Sequence, residues 1–197
     1  MFPDESRDTM NRKFHNERCP KCKQSVKRLL AALFGGVEVN WDLNIACRLD
    51  DYKNSKFYGD LEQIYAALLK HRGFDNFVKS KKLPRVDFFI PDQNVIVEFD
   101  ESQHFTKPRD IALSLYPKNQ DVGYSVERWR TLCQQLNKRD NDPPYRDEQR
   151  AWYDTLRDFA PSLLGSGQIV RLYSRDQIWC ALNPESEADL KSLSRSF

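Results

Sequence analysis

The sequence predicts an α/β domain in which helices flank a mixed sheet. Two stretches carry apolar residues at helical spacing, and each ends at glycine. Residues 85–90 and 95–100 read as adjoining strands around a turn, and a helical stretch at 146–159 precedes a strand at 168–173. The order helix, strand, strand, helix, strand fits this fold class.

Residues 1–18 form a polar lead-in. After Cys19-Pro20-Lys21-Cys22, the residues Val26, Leu29, Leu30, Leu33 and Phe34 mark one helical face, which Gly35-Gly36 stops. Residues 37–49 mix short apolar and polar runs, as a strand or an irregular connection would. Leu61, Ile64, Tyr65, Leu68 and Leu69 mark a second helix, with Gly73 after its last turn and Asp60 and Gln63 spaced as a capping box.

The two central strands have apolar residues on both faces, as in a sheet covered by helices. Pro91-Asp92-Gln93-Asn94 supplies the turn between them. Ile111, Leu113 and Leu115 suggest a short element, 125–137 a helix, and Lys138 to Pro144 an exposed polar stretch. Trp152, Leu156 and Phe159 anchor the next helix. Gln168 to Tyr173 reads as a strand, and Asp176 to Leu182 as the start of a short helix.

Lys and Arg number 31 against 29 Asp and Glu, a net charge of +2. So small an excess argues for local basic patches rather than a polyanion-binding stripe. Three such patches occur: Lys21, Lys23, Lys27 and Arg28; Lys79, Lys81, Lys82 and Arg85; and Arg128, Arg130, Lys138 and Arg139. The N-terminal stretch lacks an apolar signal core, no later stretch is suited to crossing a membrane, and five cysteines do not form a dense disulfide framework. The expectation is an intracellular protein, cytoplasmic or nucleoid-associated, with no membrane partner. No Walker loop or dinucleotide fingerprint appears.

The hairpin carries the chemistry. If 91–94 turn, then Ile90 faces Val95, Phe89 faces Ile96, Phe88 faces Val97, and Asp87 comes opposite Glu98. Cβ atoms of opposed residues lie about 4.5–5.5 Å apart. Strand alternation puts Asp100 on the face of Glu98. Opposed carboxylates repel, and a divalent cation such as Mg²⁺ or Mn²⁺ would offset this, with the Phe99 carbonyl as a further ligand. Such an ion lowers the pKa of bound water and polarises a phosphate oxygen. His104 follows closely enough to transfer a proton. The alternative is structural: Asp100 paired with Arg85, and Asp87 and Glu98 at a solvated rim.

The run Val86-Asp87-Phe88-Phe89-Ile90-Pro91, then Val97-Glu98-Phe99-Asp100-Glu101-Ser102-Gln103-His104, resembles the PD-(D/E)XK nuclease superfamily. More closely, it is similar to the branch of very-short-patch-repair-like endonucleases, with their Glu-x-Asp-Gly and following His. The resemblance covers about residues 58–173 and implies a restriction-endonuclease-like mixed sheet flanked by helices. It implies a metal-dependent endonuclease that hydrolyses DNA phosphodiester bonds. Asp87 and Glu98 would be metal carboxylates, with Glu62 of the preceding helix completing the set. Asp100 falls where many members carry a catalytic Lys, and would bind metal or orient water. His104 matches the branch's histidine, and Arg150 would steady a phosphate or an acidic site residue. Asp147-Glu148-Gln149-Arg150 and Ile169-Val170-Arg171-Leu172 match the family's later helix and strand. The chain departs at Glu101, which replaces Gly and would be strained in a left-handed backbone. It departs also in a longer interval before Asp147, read as a substrate-recognition insertion holding Arg128, Trp129 and Arg130.

The reading divides the chain at residue 58: a 1–57 extension with a CxxC segment and a helix, then a 58–197 nuclease-like core with an insertion around 105–145. Cys19 and Cys22 have the spacing of half a zinc knuckle, and His15 and Cys47 would complete a structural Zn²⁺ site. DNA is the expected partner, RNA is equally compatible with the residues, and a homodimer would simplify cutting both strands. The competing readings are a catalytically inactive nucleic-acid-binding module and a structural or protein-interaction domain.

Overall fold

A computed structural model describes residues 15–165 and 167–197. The expected lead-in falls largely on residues 1–14, outside the described residues. Helix α1 spans Pro20–Phe34. Pro20 opens it with a φ already suited to a helix, and Gly35, at φ 85°, ends it. The chain then forms strand β1, Glu38–Trp41, followed by helix α2, Tyr58–Arg72. Helix α2 starts after Phe57, so Asp60 lies inside the first turn and does not cap it. Gly73 closes α2 in the left-handed region, as its position suggested.

Strands β2 (Val86–Ile90) and β3 (Val95–Asp100) meet through a 3-10 turn at Pro91–Gln93. The register is Phe88 with Val97, Phe89 with Ile96 and Ile90 with Val95, as the turn placement required. Helices α3 (Lys107–Ser114), α4 (Val126–Leu136) and α5 (Arg146–Leu164) follow. Thr106 and Ser125 cap the first two by accepting from the backbone N–H of Arg109 and Arg128. Strand β4 is Gln168–Tyr173, and α6 is Glu187–Ser194. The expected helix at 176–182 is a single 3-10 turn, Trp179–Ala181.

The sheet order is β1-β2-β3-β4. The first two pairings are antiparallel, and β4 runs parallel to β3 after the long α3–α5 crossover. This is a mixed α/β fold with six α-helices and a four-stranded sheet among the described residues. Gly167 lets β4 start beside the hairpin turn: at φ +89°, an added Cβ would lie 2.5 Å from the carbonyl oxygen of Asn94.

Two apolar layers sandwich the sheet. On one face, Ile96 and Ile169 pack with Leu61, Ile64 and Leu68 of α2 and Trp152, Leu156 and Phe159 of α5. On the other, Val97, Phe99 and Leu172 pack with Val26, Leu29 and Leu30 of α1, Trp179 and Leu193. The segment read as an extension thus supplies both an edge strand and a sheet cover. The insertion folds inward as a third cluster of Phe105, Leu113, Trp129, Cys133 and Tyr173.

Candidate functional site

The sheet's parity decides which helix each charged side chain meets. Glu98 and Asp100 share the parity of Ile96, and Arg171 that of Ile169, so all three point toward α5. Asp154, Arg157 and Asp158 lie on the matching face of α5 and are buried.

Beyond the Phe88–Val97 pair, side chains replace ladder hydrogen bonds. The Asp87 N–H donates to Glu98 Oε1 at 3.2 Å, and the Phe99 N–H donates to Asp87 Oδ2 at 3.0 Å. The two acids are thus interlocked at the hairpin end. Their cationic neighbours differ: Lys23 of α1 is 2.7 Å from Asp87 Oδ1, while Arg157 Nε of α5 is 3.4 Å from Glu98 Oε1. The compensation expected from a metal ion is supplied here by these two side chains of the chain. Burial pushes the Glu98 carboxyl up to about 7, against the pull of Arg157 and with the push of Asp87. Asp87 remains 22% exposed, so it is the carboxylate that solvent reaches.

Asp100 has a different environment. Arg171 Nη1 donates to both its oxygens, at 2.8 and 3.1 Å, and the Trp129 indole N–H donates at 2.7 Å. Its side chain is 1% exposed. Its guanidinium partner is therefore Arg171, whereas Arg85 is exposed. Trp129 is a buried strut under the site and not part of a recognition surface.

His104 lies on the 3-10 turn Ser102–His104. Its Nδ1 is 2.9 Å from Asp154 Oδ2 and 3.6 Å from Asp100 Oδ1. A carboxylate at Nδ1 favours a proton there, which makes Nε2 the acceptor in the neutral ring. Burial opposes charge on His104, but Asp154 and Asp100 overcome it and raise its pKa. Asp154 is held well below the usual range: burial works against its charge, and His104 and Arg171 outweigh that.

Behind this pair, Asp158 accepts from Arg171 Nε at 2.8 Å, Arg109 at 2.5 Å, Tyr116 at 2.7 Å and Tyr124 at 2.8 Å. Four carboxylates (Glu98, Asp100, Asp154 and Asp158) thus face three guanidiniums (Arg109, Arg157 and Arg171) and one imidazole. Of these acids, Asp154 and Asp100 are the ones that favour the protonated form of His104.

Arg150 lies at the rim. It donates to the Gln103 carbonyl and to Asp140, each at 3.0 Å, and so ties down the loop carrying His104. Glu62 does not join the site. It is exposed on α2 and accepts from Tyr58, one turn away. Glu101 adopts φ −87° and ψ 165°, an ordinary extended backbone, so the exchange for Gly carries no strain.

For a divalent cation, Asp87 and Glu98 are the two adjacent hard-oxygen donors, and Asp87 is open to solvent. Both Asp87 oxygens are already engaged, by Lys23 and by the Phe99 N–H, and Glu98 Oε1 accepts from the Asp87 N–H, so a cation would have to displace Lys23 to use this pair. Asp100, with both oxygens engaged by Arg171, and Glu62, on another surface, do not fit as direct ligands.

The described residues bring His15, Cys19, Cys22 and Cys180 together, with ligand atoms all within 4.8 Å of one another; this cluster could bind a metal such as zinc. Cys47 is not among them. It is buried in the α2–α5 core, where its carbonyl accepts from the Trp152 indole at 2.8 Å. Cys180, on the turn after β4, takes the fourth place.

Comparison with known proteins gives no match to a family model, to a curated protein or to a solved structure. No described helix is long and apolar enough to cross a membrane.

Proposed function

We propose that the chain is a metal-dependent nuclease that hydrolyses phosphodiester bonds, most naturally those of DNA. One observation carries the reading: Asp87 and Glu98 interlock at the hairpin end, with the Lys23 ammonium beside the exposed carboxylate. The mixed sheet flanked by helices and the run through His104 support the resemblance to PD-(D/E)XK nucleases.

Asp87 and Glu98 would hold Mg²⁺ or Mn²⁺. When bound, the ion supplies Lewis acidity at a phosphate oxygen and a more acidic water. Lys23 neutralises the phosphate that approaches Asp87, and the exposed Lys27, one turn further along the same helix face, extends that positive surface along the backbone. His104, held through Nδ1 by Asp154, presents Nε2 for proton transfer. Asp100 acts indirectly. Through Arg171 it fixes the end of β3 against β4, and with it the approach of Glu98. Arg150 holds the His104 loop rather than the phosphate.

A catalytically inactive nucleic-acid-binding module is the second reading. The ion pairs Lys23–Asp87 and Arg157–Glu98 favour it, because they already compensate the acids that a metal would use. Calorimetric titration with Mn²⁺ separates the two. The nuclease reading expects binding by the wild-type chain that Asp87→Ala abolishes. Equal heats from both proteins would overturn the metal assignment and leave the binding module.

A further inference from the structure

We propose that His15, Cys19, Cys22 and Cys180 hold a structural zinc ion that fastens the N-terminal segment to the turn after β4. The inference is independent of the nuclease reading, because it rests on a separate group of side chains.

All four ligand atoms lie within 4.8 Å of one another. A tetrahedral zinc with bonds of about 2.3 Å to sulfur and about 2.0 Å to nitrogen spaces its ligand atoms roughly 3.5–3.8 Å apart. His15 Nε2 is 3.5 Å from Cys180 Sγ and 3.0 Å from Cys22 Sγ. The second distance needs to open by about half an ångström to admit the ion. The three cysteines are free thiols, so no disulfide competes.

The start of α1 favours negative charge at two of the ligands. Zinc binding releases the thiol protons of Cys19, Cys22 and Cys180 to solvent, and three thiolates with Zn²⁺ and a neutral imidazole carry a net −1. Cys19 is the N-cap of α1 and Cys22 lies in its first turn, at the positive end of the helix dipole. Lys21, between the two cysteines, adds a positive charge. Four protein ligands close the coordination shell, which is the arrangement of a structural rather than a catalytic zinc.

The centre also braces the candidate site. Glu17, between His15 and Cys19, accepts from the Ser102 N–H at 3.1 Å, from the Ser102 hydroxyl at 2.6 Å and from Arg175 at 3.2 Å. Arg18 reaches Gln103 at 3.4 Å. The segment that would carry two zinc ligands therefore lies on the loop leading to His104. Lys23, which meets Asp87, directly follows the ligand Cys22.

The test is metal analysis of the full chain purified without chelator, with Co²⁺ substitution as a spectroscopic reporter. Wild type should carry stoichiometric zinc and, with Co²⁺, give the visible bands of a tetrahedral thiolate site. Cys180→Ser and His15→Ala should each lose the zinc, whereas Cys47→Ala should retain it. The His15 variant covers the case in which Cys180→Ser fails to fold, since His15 precedes the first helix. A wild-type chain that takes up neither zinc nor Co²⁺ would overturn the proposal, as would full zinc in the folded His15 or Cys180 variant. None of these readouts involves cleavage, so the result stands apart from the nuclease reading.

Discussion

The Trp129 indole, on α4, donates its N–H to Asp100 at the end of β3 at 2.7 Å, with Asp100 1% exposed. A helix of the insertion thus completes the hydrogen bonding of a buried carboxylate at the end of an inner strand. Asp100 has its guanidinium partner in Arg171, but that cation alone leaves the carboxylate short of a donor. The insertion is part of the fold's electrostatic balance as well as its apolar packing.

Trp129→Phe keeps an aromatic ring and removes the donor. The expected cost is about 1.5–3 kcal/mol, the range for losing one hydrogen bond to a charged group. Denaturant unfolding measures it, and a change within about 0.5 kcal/mol, the size of an ordinary surface substitution, would show that Arg171 alone satisfies Asp100.

Glu98 sets a pH dependence with a definite sign. Its carboxyl moves from an ordinary 4.5 up to about 7 on folding. Between those values the folded state binds more protons than the unfolded state, so stability falls as pH rises through this window. His104, also raised, gives the same sign: its stabilisation is complete below the ordinary 6.5 and is lost as pH climbs through the folded value. Glu98→Gln should remove the lower part of the slope and keep the upper part. Thermal unfolding in Mg²⁺-free buffer from about pH 5 to 8 checks this, and an unchanged slope below pH 7 would remove Glu98 as its source.

The His104–Asp154 pair has its own signature. In NMR titration, His104 should titrate above its ordinary 6.5, and Asp154→Asn should bring it down. If the ring transfers a proton during turnover, His104→Ala should slow cleavage by about 10²–10⁴-fold. A His104 titration unmoved by Asp154→Asn would mean the raised value comes from elsewhere.

The hairpin was readable because one turn sets its register. Pro91 to Asn94 can fold back only so as to oppose Phe88 and Val97, and the apolar alternation agrees. What lay beyond that pair was not readable. The Asp87 N–H donates to the Glu98 carboxyl, the Phe99 N–H donates to the Asp87 carboxylate, and the two acids find cations on opposite sheet faces; strand periodicity does not encode this. The partner of Asp100 is 71 residues away on β4, beyond the reach of a hairpin argument that offered the nearby Arg85. Cys180 was missed for the same reason. It has no motif spacing to Cys19 or Cys22, and only the parallel return of β4 carries it back to α1. Helix α6 went unread because Glu187–Ser194 contains only three apolar residues, too few to mark a face.

The nuclease assignment is tested most directly by cleavage of supercoiled, linear, single-stranded and branched DNA, and of RNA, with wild type and Asp87→Ala. Mg²⁺ or Mn²⁺ should be added or omitted rather than chelated, so that a zinc centre is left in place. We expect cleavage that requires the added ion and is lost in the variant. Cleavage by Asp87→Ala equal to wild type, or no cleavage of any substrate with either ion, would contradict the assignment.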